Sequence, residues 1–226
     1  MARASIVAGA VLAGFVACVG HGIAAEYSFR GIPLGITLDE FRRLPHPDQI
    51  AGAQVFCTGE VDRVTNVGLE VHGADATLGV KRCSYYTVTK LQYLKPSYLL
   101  HNIQLGAIVA PADFVFYPDP ERGGTYRLML IVMEGGSNRF DAMVSAYTER
   151  FGKPASLAEA PPVETPSGRR HKNMVVLWEG AGTEIRLTKR FGGSIKTMEV
   201  QYFEKRLFAL YAKARDKLTG KPSDKL

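Results

Sequence analysis

Apolar residues recur along this chain with two different periods, and the switches between them mark out its elements. At 31–41 a short extended or turn segment leads into a helix, with Thr37 and Glu40 spaced as a capping box and Ile36 placed to staple onto Phe41 or its neighbour. Leu38, Phe41 and Leu44 form the apolar stripe of that helix, and Pro45 and Pro47 end it. Alternating or apolar runs follow at 53–58, 68–72, 80–89, 107–117 and 125–133, separated by Gly, Pro and Asp turns, which is the signature of an antiparallel meander. The order then recurs. Ser137 opens a second helix with Phe140, Met143, Val144, Tyr147 and Phe151 on one face, stopped by Gly152-Lys153-Pro154. A polar loop at 155–172 precedes three strands at 174–178, 183–189 and 194–202. A closing helix at about 204–218 carries Leu207, Leu210, Tyr211 and Ala214 on one side.

The expected fold class is therefore α+β: two helix-plus-antiparallel-meander repeats, 26–135 and 136–226, with a C-terminal helix. About 200 residues of ordinary apolar content suffice for a real core.

Residues 1–25 read differently. Arg3 precedes an uncharged apolar run at 6–20, too short for the roughly 20 residues that span a bilayer and suited to the h-region of a signal peptide. Small residues place the cleavage after Ala24 or after Ala25. A second reading takes Phe15-Val16-Ala17-Cys18 as a degenerate lipoprotein box, with Cys18 lipidated and the protein anchored. Removal of the leader leaves two cysteines, Cys57 and Cys83, and an even count in an oxidising compartment predicts a disulfide between them. The expected location is the periplasm or the exterior.

Charge sharpens the picture of a partner. Residues 26–165 hold 13 basic and 16 acidic side chains, whereas 166–226 hold 14 basic and 6 acidic. The basic character thus belongs to the C-terminal third, and Arg169, Arg170, Lys172, Lys189 and Arg190 are its candidate electrostatic binding residues, with Lys205, Lys213 and Lys217 on the closing helix. No zinc-finger, helix-turn-helix or RNA-binding signature is present, so the expected partner is an envelope protein or an anionic envelope surface and not nucleic acid. Tyr85, Tyr86, Tyr93, Tyr98, Phe114, Phe116 and Tyr117 alternate along expected strands; half should pack inward, and the outward half would offer a binding face.

Two phrases, Gly35-Ile36-Thr37-Leu38-Asp39-Glu40-Phe41 and Tyr147-Thr148-Glu149-Arg150-Phe151-Gly152-Lys153-Pro154, resemble the helix openings and endings of small exported bacterial proteins with tandem α/β repeats. The β-lactamase-inhibitory-protein-like group and the small outer-membrane assembly lipoproteins share this plan. Members act by binding proteins, so the resemblance implies a binding role; it carries over no functional residue.

Catalytic signals are sparse. His46 lies between prolines and reads as a solvated loop residue, His101 stands alone, and His171 belongs to the charge run 169–172. His72 with Asp75 is the nearest approach to a metal-ligand pair, in what reads as a strand end and turn. Asp119 and Glu121 offer a pair of carboxylates, but the prolines flanking Asp119 make a solvated turn the expected reading. Nucleophile elbows, phosphate-binding glycine loops and His-Glu-x-x-His are missing from the sequence. The expectation is an envelope-binding protein with no cofactor, no catalytic residue and no metal, the alternatives being an envelope hydrolase or a lipid-anchored structural protein.

Overall fold

A computed structural model of the protein describes residues 26–60, 69–89 and 96–220. The expected leader, Cys18 and Tyr93 lie outside the described residues. The chain enters through a two-stranded ribbon, β1 (Ser28–Phe29) and β2 (Ile32–Pro33), then the single-turn helix α1 (Leu38–Phe41). Thr37 accepts from the Glu40 amide while Glu40 bonds the Thr37 backbone, so the capping box forms as its spacing predicts.

Most of the remaining strands join one nine-stranded antiparallel sheet. Its order runs from β3 (Gln54–Cys57) through β4 (Lys81–Thr89), β8 (Ala112–Asp119), β9 (Thr125–Gly136), β13 (Thr197–Glu204), β12 (Thr183–Thr188) and β11 (Arg170–Glu179) to β10 (Ser156–Glu164). A short helix, α2 (Gly73–Thr77), precedes β4; β5 (Ser97–Leu100) pairs with β4 beyond β8; and β6 (Ile103–Leu105) with β7 (Ile108–Ala110) forms a separate hairpin. Helices α3 (Phe140–Phe151) and α4 (Lys205–Thr219) complete the fold.

The sheet is covered on both faces at its centre, which the near-continuous apolar run of β9 requires. On one face lie Phe114, Phe116, Leu128, Ile131, Val200, Tyr202, Ile185, Val176 and Trp178, covered by Phe29 and Ile32 of the ribbon, Phe41 of α1, the β6–β7 hairpin, and Met143 and Tyr147 of α3. Tyr147 and Tyr202 satisfy each other there through a 2.7 Å hydroxyl contact, and the Trp178 indole donates to the Gly152 carbonyl at 3.0 Å. On the other face Val80, Val115, Tyr117 and Met129 pack under Leu207 and Tyr211 of α4. Cys57 and Cys83 are direct cross-strand partners on β3 and β4, fully buried and joined by a disulfide.

Four expectations need correction. The polar loop at 155–172 is largely β10, an edge strand whose Pro161 and Pro162 sit at a register shift between Ala160 and Val163; edge position is what lets prolines and charges occupy a strand. The segment after His72 is helix α2, not a strand end. Ser137 begins a 3₁₀ turn and spends its hydroxyl on the Ile195 carbonyl, so α3 starts three residues later with no side-chain cap. The aromatic residues do not divide into inward and outward sets: Tyr85, Phe114 and Phe116 fill one core, while Tyr86 and Tyr117 are buried on the opposite face, because both faces are covered.

Candidate functional site

Three adjacent strands lay a polar strip beneath α4. Strand pairing fixes its layout, since residues opposite one another share a face. Glu199 on β13 lies opposite Glu134 on β9; Gln201 lies opposite Val132, which lies opposite Asp113 on β8; Phe203, Leu130, Val115 and Arg82 form the next row. Phe208, Tyr211 and Arg215 of α4 and Asp75 of α2 make one wall, and Phe191 of the β12–β13 loop another. Together they enclose a groove of about 270 Å³. A second cavity of about 220 Å³, bounded by Ala110, Pro111, Asp113, Val132 and Glu134, continues it along the sheet.

The floor holds two polar residues that are almost wholly buried. Glu199 is 4 % and Gln201 9 % exposed, yet among the described residues neither side chain has a hydrogen-bond partner. Buried polar groups are ordinarily paired. Burial, and then the neighbouring charge of Glu134, pushes the Glu199 carboxyl up to about 8, against opposing pulls from Arg186 and Arg82. Asp113 is raised for the same first reason, burial, although Arg82 at 3.7 Å and the Ser84 hydroxyl at 3.5 Å hold it down in part. At neutral pH the strip therefore holds a protonated Glu199 facing Glu134. Such a pair can donate and accept protons, or receive a cation, within apolar walls.

No family model, curated protein or solved structure matches the chain. The five basic residues expected to bind lie on and beside β11 and just after β12, toward the opposite end of the sheet from β3. Arg190 donates to the Lys172 carbonyl at 2.9 Å, and the Asn173 side chain clasps the Arg190 backbone. Arg190 also donates to the Ile195 carbonyl, so it serves the loop as much as the surface. Arg170 pairs with Glu164 at 3.4 Å, Lys172 with Glu159 at 3.5 Å and Lys189 with Asp141 at 3.5 Å, while Arg169 is exposed on the hairpin.

The remaining candidates are accounted for by structure. His46 is not a solvated loop residue: it is 2 % exposed, edge-on to Tyr85, and burial lowers its pKa. Its Nδ1 accepts from the Asp48 amide. His101 contacts the Thr87 hydroxyl at 2.6 Å. His72 reaches Glu70 at 3.2 Å while Asp75 receives the Tyr211 hydroxyl at 2.6 Å, so this pair is divided between other partners. Asp119 is fully buried, not a solvated turn residue. Arg206 donates to both its oxygens, at 2.6 and 3.3 Å, and these bonds first, then the Glu121 amide and nearby arginines, hold its carboxyl below the usual range. Among the described residues, no group of three His, Cys, Asp or Glu side chains is placed to hold a metal ion, and no helix is long and apolar enough to cross a membrane.

Glu199 and Gln201 escaped the sequence reading because Met198, Val200 and Tyr202 alternate with them, which marks the polar positions as solvent-facing. The signal that they are covered lies on the next strand, where Leu128 to Met133 is apolar throughout.

Proposed function

We propose that this is an exported protein of the cell envelope that works by binding another envelope component, and that the groove beneath α4 is where the partner is held. One observation carries the assignment: two polar side chains more than nine-tenths buried, Glu199 and Gln201, line an accessible groove and have no partner among the described residues. Their polar atoms open onto the groove and are not committed to other side chains, so they are free to bond a ligand that enters it. The basic cluster at Arg169, Arg170, Lys172, Lys189 and Arg190 adds a long-range field that speeds encounter with an acidic rim.

Affinity capture from the organism's own envelope fraction, with the tagged mature protein as bait, tests both parts. Gln201→Leu is expected to abolish retention of the captured partner. Reversing Arg169, Arg170 and Lys172 to Glu is expected to slow association and remove its salt dependence, with little change in melting temperature. Retention indifferent to Gln201→Leu removes the groove from the proposal.

Export is part of the same reading. The buried disulfide is compatible with an oxidising compartment. Intact-mass spectrometry of the purified protein is expected to show a chain starting at Ala25 or Glu26 with no alkylatable thiol. A retained leader would overturn export, and a diacylglyceryl mass on Cys18 would replace it with the anchored alternative.

The envelope-hydrolase reading has one observation in its favour, the cross-strand Glu199–Glu134 pair in which the Glu199 carboxyl is pushed up to about 8. Soluble fragments released from purified envelope polymer, and lost in both Glu199→Gln and Glu134→Gln, would favour it over binding.

We further propose that the two halves are repeats. In support, α1 is followed by β3, β4, β8 and β9 side by side in chain order, α3 is followed by β10 to β13 in the same manner, and the last strands of the halves, β9 and β13, pair with each other. The β5–β7 segment is then an insertion in the first half.

A further inference from the structure

The groove's chemistry specifies more than its location. Its lining carries four carboxyl groups, Asp75, Asp113, Glu134 and Glu199, against two guanidinium groups, Arg82 and Arg215, in a chain whose net charge is +6. Two of the four carboxyls are already engaged, Asp113 by Arg82 and Asp75 by Tyr211. Glu134 and Glu199 are directly opposed across the β9–β13 pair, where like charges repel.

A second observation does not depend on that count of acids. Gln201, an uncharged amide, is 9 % exposed on the same floor and has both a donor and an acceptor to satisfy, with no partner among the described residues. A ligand that meets all three groups must offer hydrogen-bond donors and positive charge at one end. Val132, Phe191 and Phe208 beside them require an apolar body behind that end.

We propose that the groove receives a lysine side chain of the partner protein, its ammonium group against Glu199, Glu134 and the Gln201 carbonyl and its methylene stem along Val132, Phe191 and Phe208. This rests on the binding reading above and names the chemistry of the contact. Three N–H donors match three acceptors, and the stem has the length and apolarity to lie in a narrow slot. The second cavity, continuing past Glu134 toward Pro111, leaves room for the residues that flank the lysine.

Binding is coupled to a proton. Glu199 faces Glu134 from β9, Asp113 from β8, Arg82 from β4, Arg186 from β12, and Tyr211 and Arg215 from α4 with Asp75 of α2 behind them. In the free protein the burial of the site, and then the charge of Glu134, keep Glu199 protonated at neutral pH. An arriving ammonium favours the ionised carboxyl, so the proton on Glu199 leaves to solvent as the cation enters. Affinity then rises with pH up to about 8 and levels above it.

The probe is n-hexylamine, with 1-hexanol as its neutral counterpart, titrated into the full mature protein and followed at the Gln201 side-chain amide by nuclear magnetic resonance. Hexylamine is expected to shift that resonance with an affinity about tenfold tighter at pH 8.5 than at pH 6, and to release protons measurable by calorimetry in two buffers. Hexanol is expected to bind at least tenfold more weakly. Glu199→Gln should abolish the pH dependence, and Glu134→Gln, at an exposed position that folding tolerates, should weaken hexylamine about tenfold. Equal binding of amine and alcohol, or pH-independent binding, overturns the proposal.

A second arm separates the sources of the amine. Acetylating the lysines of the envelope extract before capture is expected to abolish retention of the partner, whereas dimethylation, which keeps the charge, should preserve much of it. Hexylamine binding together with capture that acetylation leaves intact overturns the lysine assignment. If Gln201→Leu abolishes capture while hexylamine fails to bind, the groove stands as the site and the amine is wrong. If hexylamine binds and capture ignores Gln201→Leu, the binding function assigned to the groove is wrong instead.

Discussion

Glu199→Gln is expected to melt well above the parent protein at pH 8.5 and at nearly the same temperature at pH 5. The carboxyl of Glu199 is raised in the folded chain from 4.5 to about 8, first by burial and then by Glu134. In the unfolded chain it ionises at its ordinary value. Between those two points the folded state binds a proton that the unfolded state does not, so stability falls as pH rises through the window from about 4.5 to about 8 and then levels. A shift of this size corresponds to a loss of at most about 5 kcal/mol, since each unit is worth about 1.4 kcal/mol. Glutamine has the shape of the protonated acid and does not titrate, so the variant escapes the loss. Thermal melts of both proteins from pH 5 to 9 check it; parallel curves would mean that Glu199 is ionised and solvated in the fold.

Opening the disulfide should be nearly as damaging. Cys57 and Cys83 close a segment with a sequence separation of 26, and in the chain-entropy account such a loop stabilises the native state by about 3.5 kcal/mol. Cys57→Ser and Cys83→Ser are each expected to lose about that amount, and the double variant no more than either, because both open the same loop. The bond holds β3, an edge strand of four residues, against β4. Denaturant melts with and without reductant check this, and additive losses would show that the two sulfurs act independently.

The parts legible in the sequence were those whose signals are local. The capping box of Thr37 and Glu40, the apolar stripe from Phe140 to Tyr147 and the Cys57–Cys83 pair are each decided within a few residues or by counting, and each has its expected counterpart in the fold. β10 was not legible because Pro161, Pro162 and its acidic residues are loop-like everywhere except on an edge, and edge position is a property of the whole sheet. The same limit hid the groove. Nothing near Glu199 announces that α4 folds back over it, and Glu134 is 65 residues away in the chain although it is the nearest cross-strand neighbour on β9. His46 shows the reverse error: flanking prolines suggested a solvated loop, but the chain folds it against Tyr85.

The position of α4 in the chain also sets when the groove can exist. Chains are made from the N-terminus, and among the described residues α4, Lys205–Thr219, follows every strand of the sheet. Strands β8 and β9 are complete some 70 residues earlier, with Asp113, Val132 and Glu134 already in register but without Glu199, Gln201 or the wall that Phe208 and Tyr211 provide. A partly synthesised or truncated chain thus has half a floor and no lid. Its strip of carboxyls stays wetted and weak for any partner until the final helix docks. The groove described above would in this way exist only once the sheet and α4 have both formed, and loss of α4 would remove its wall.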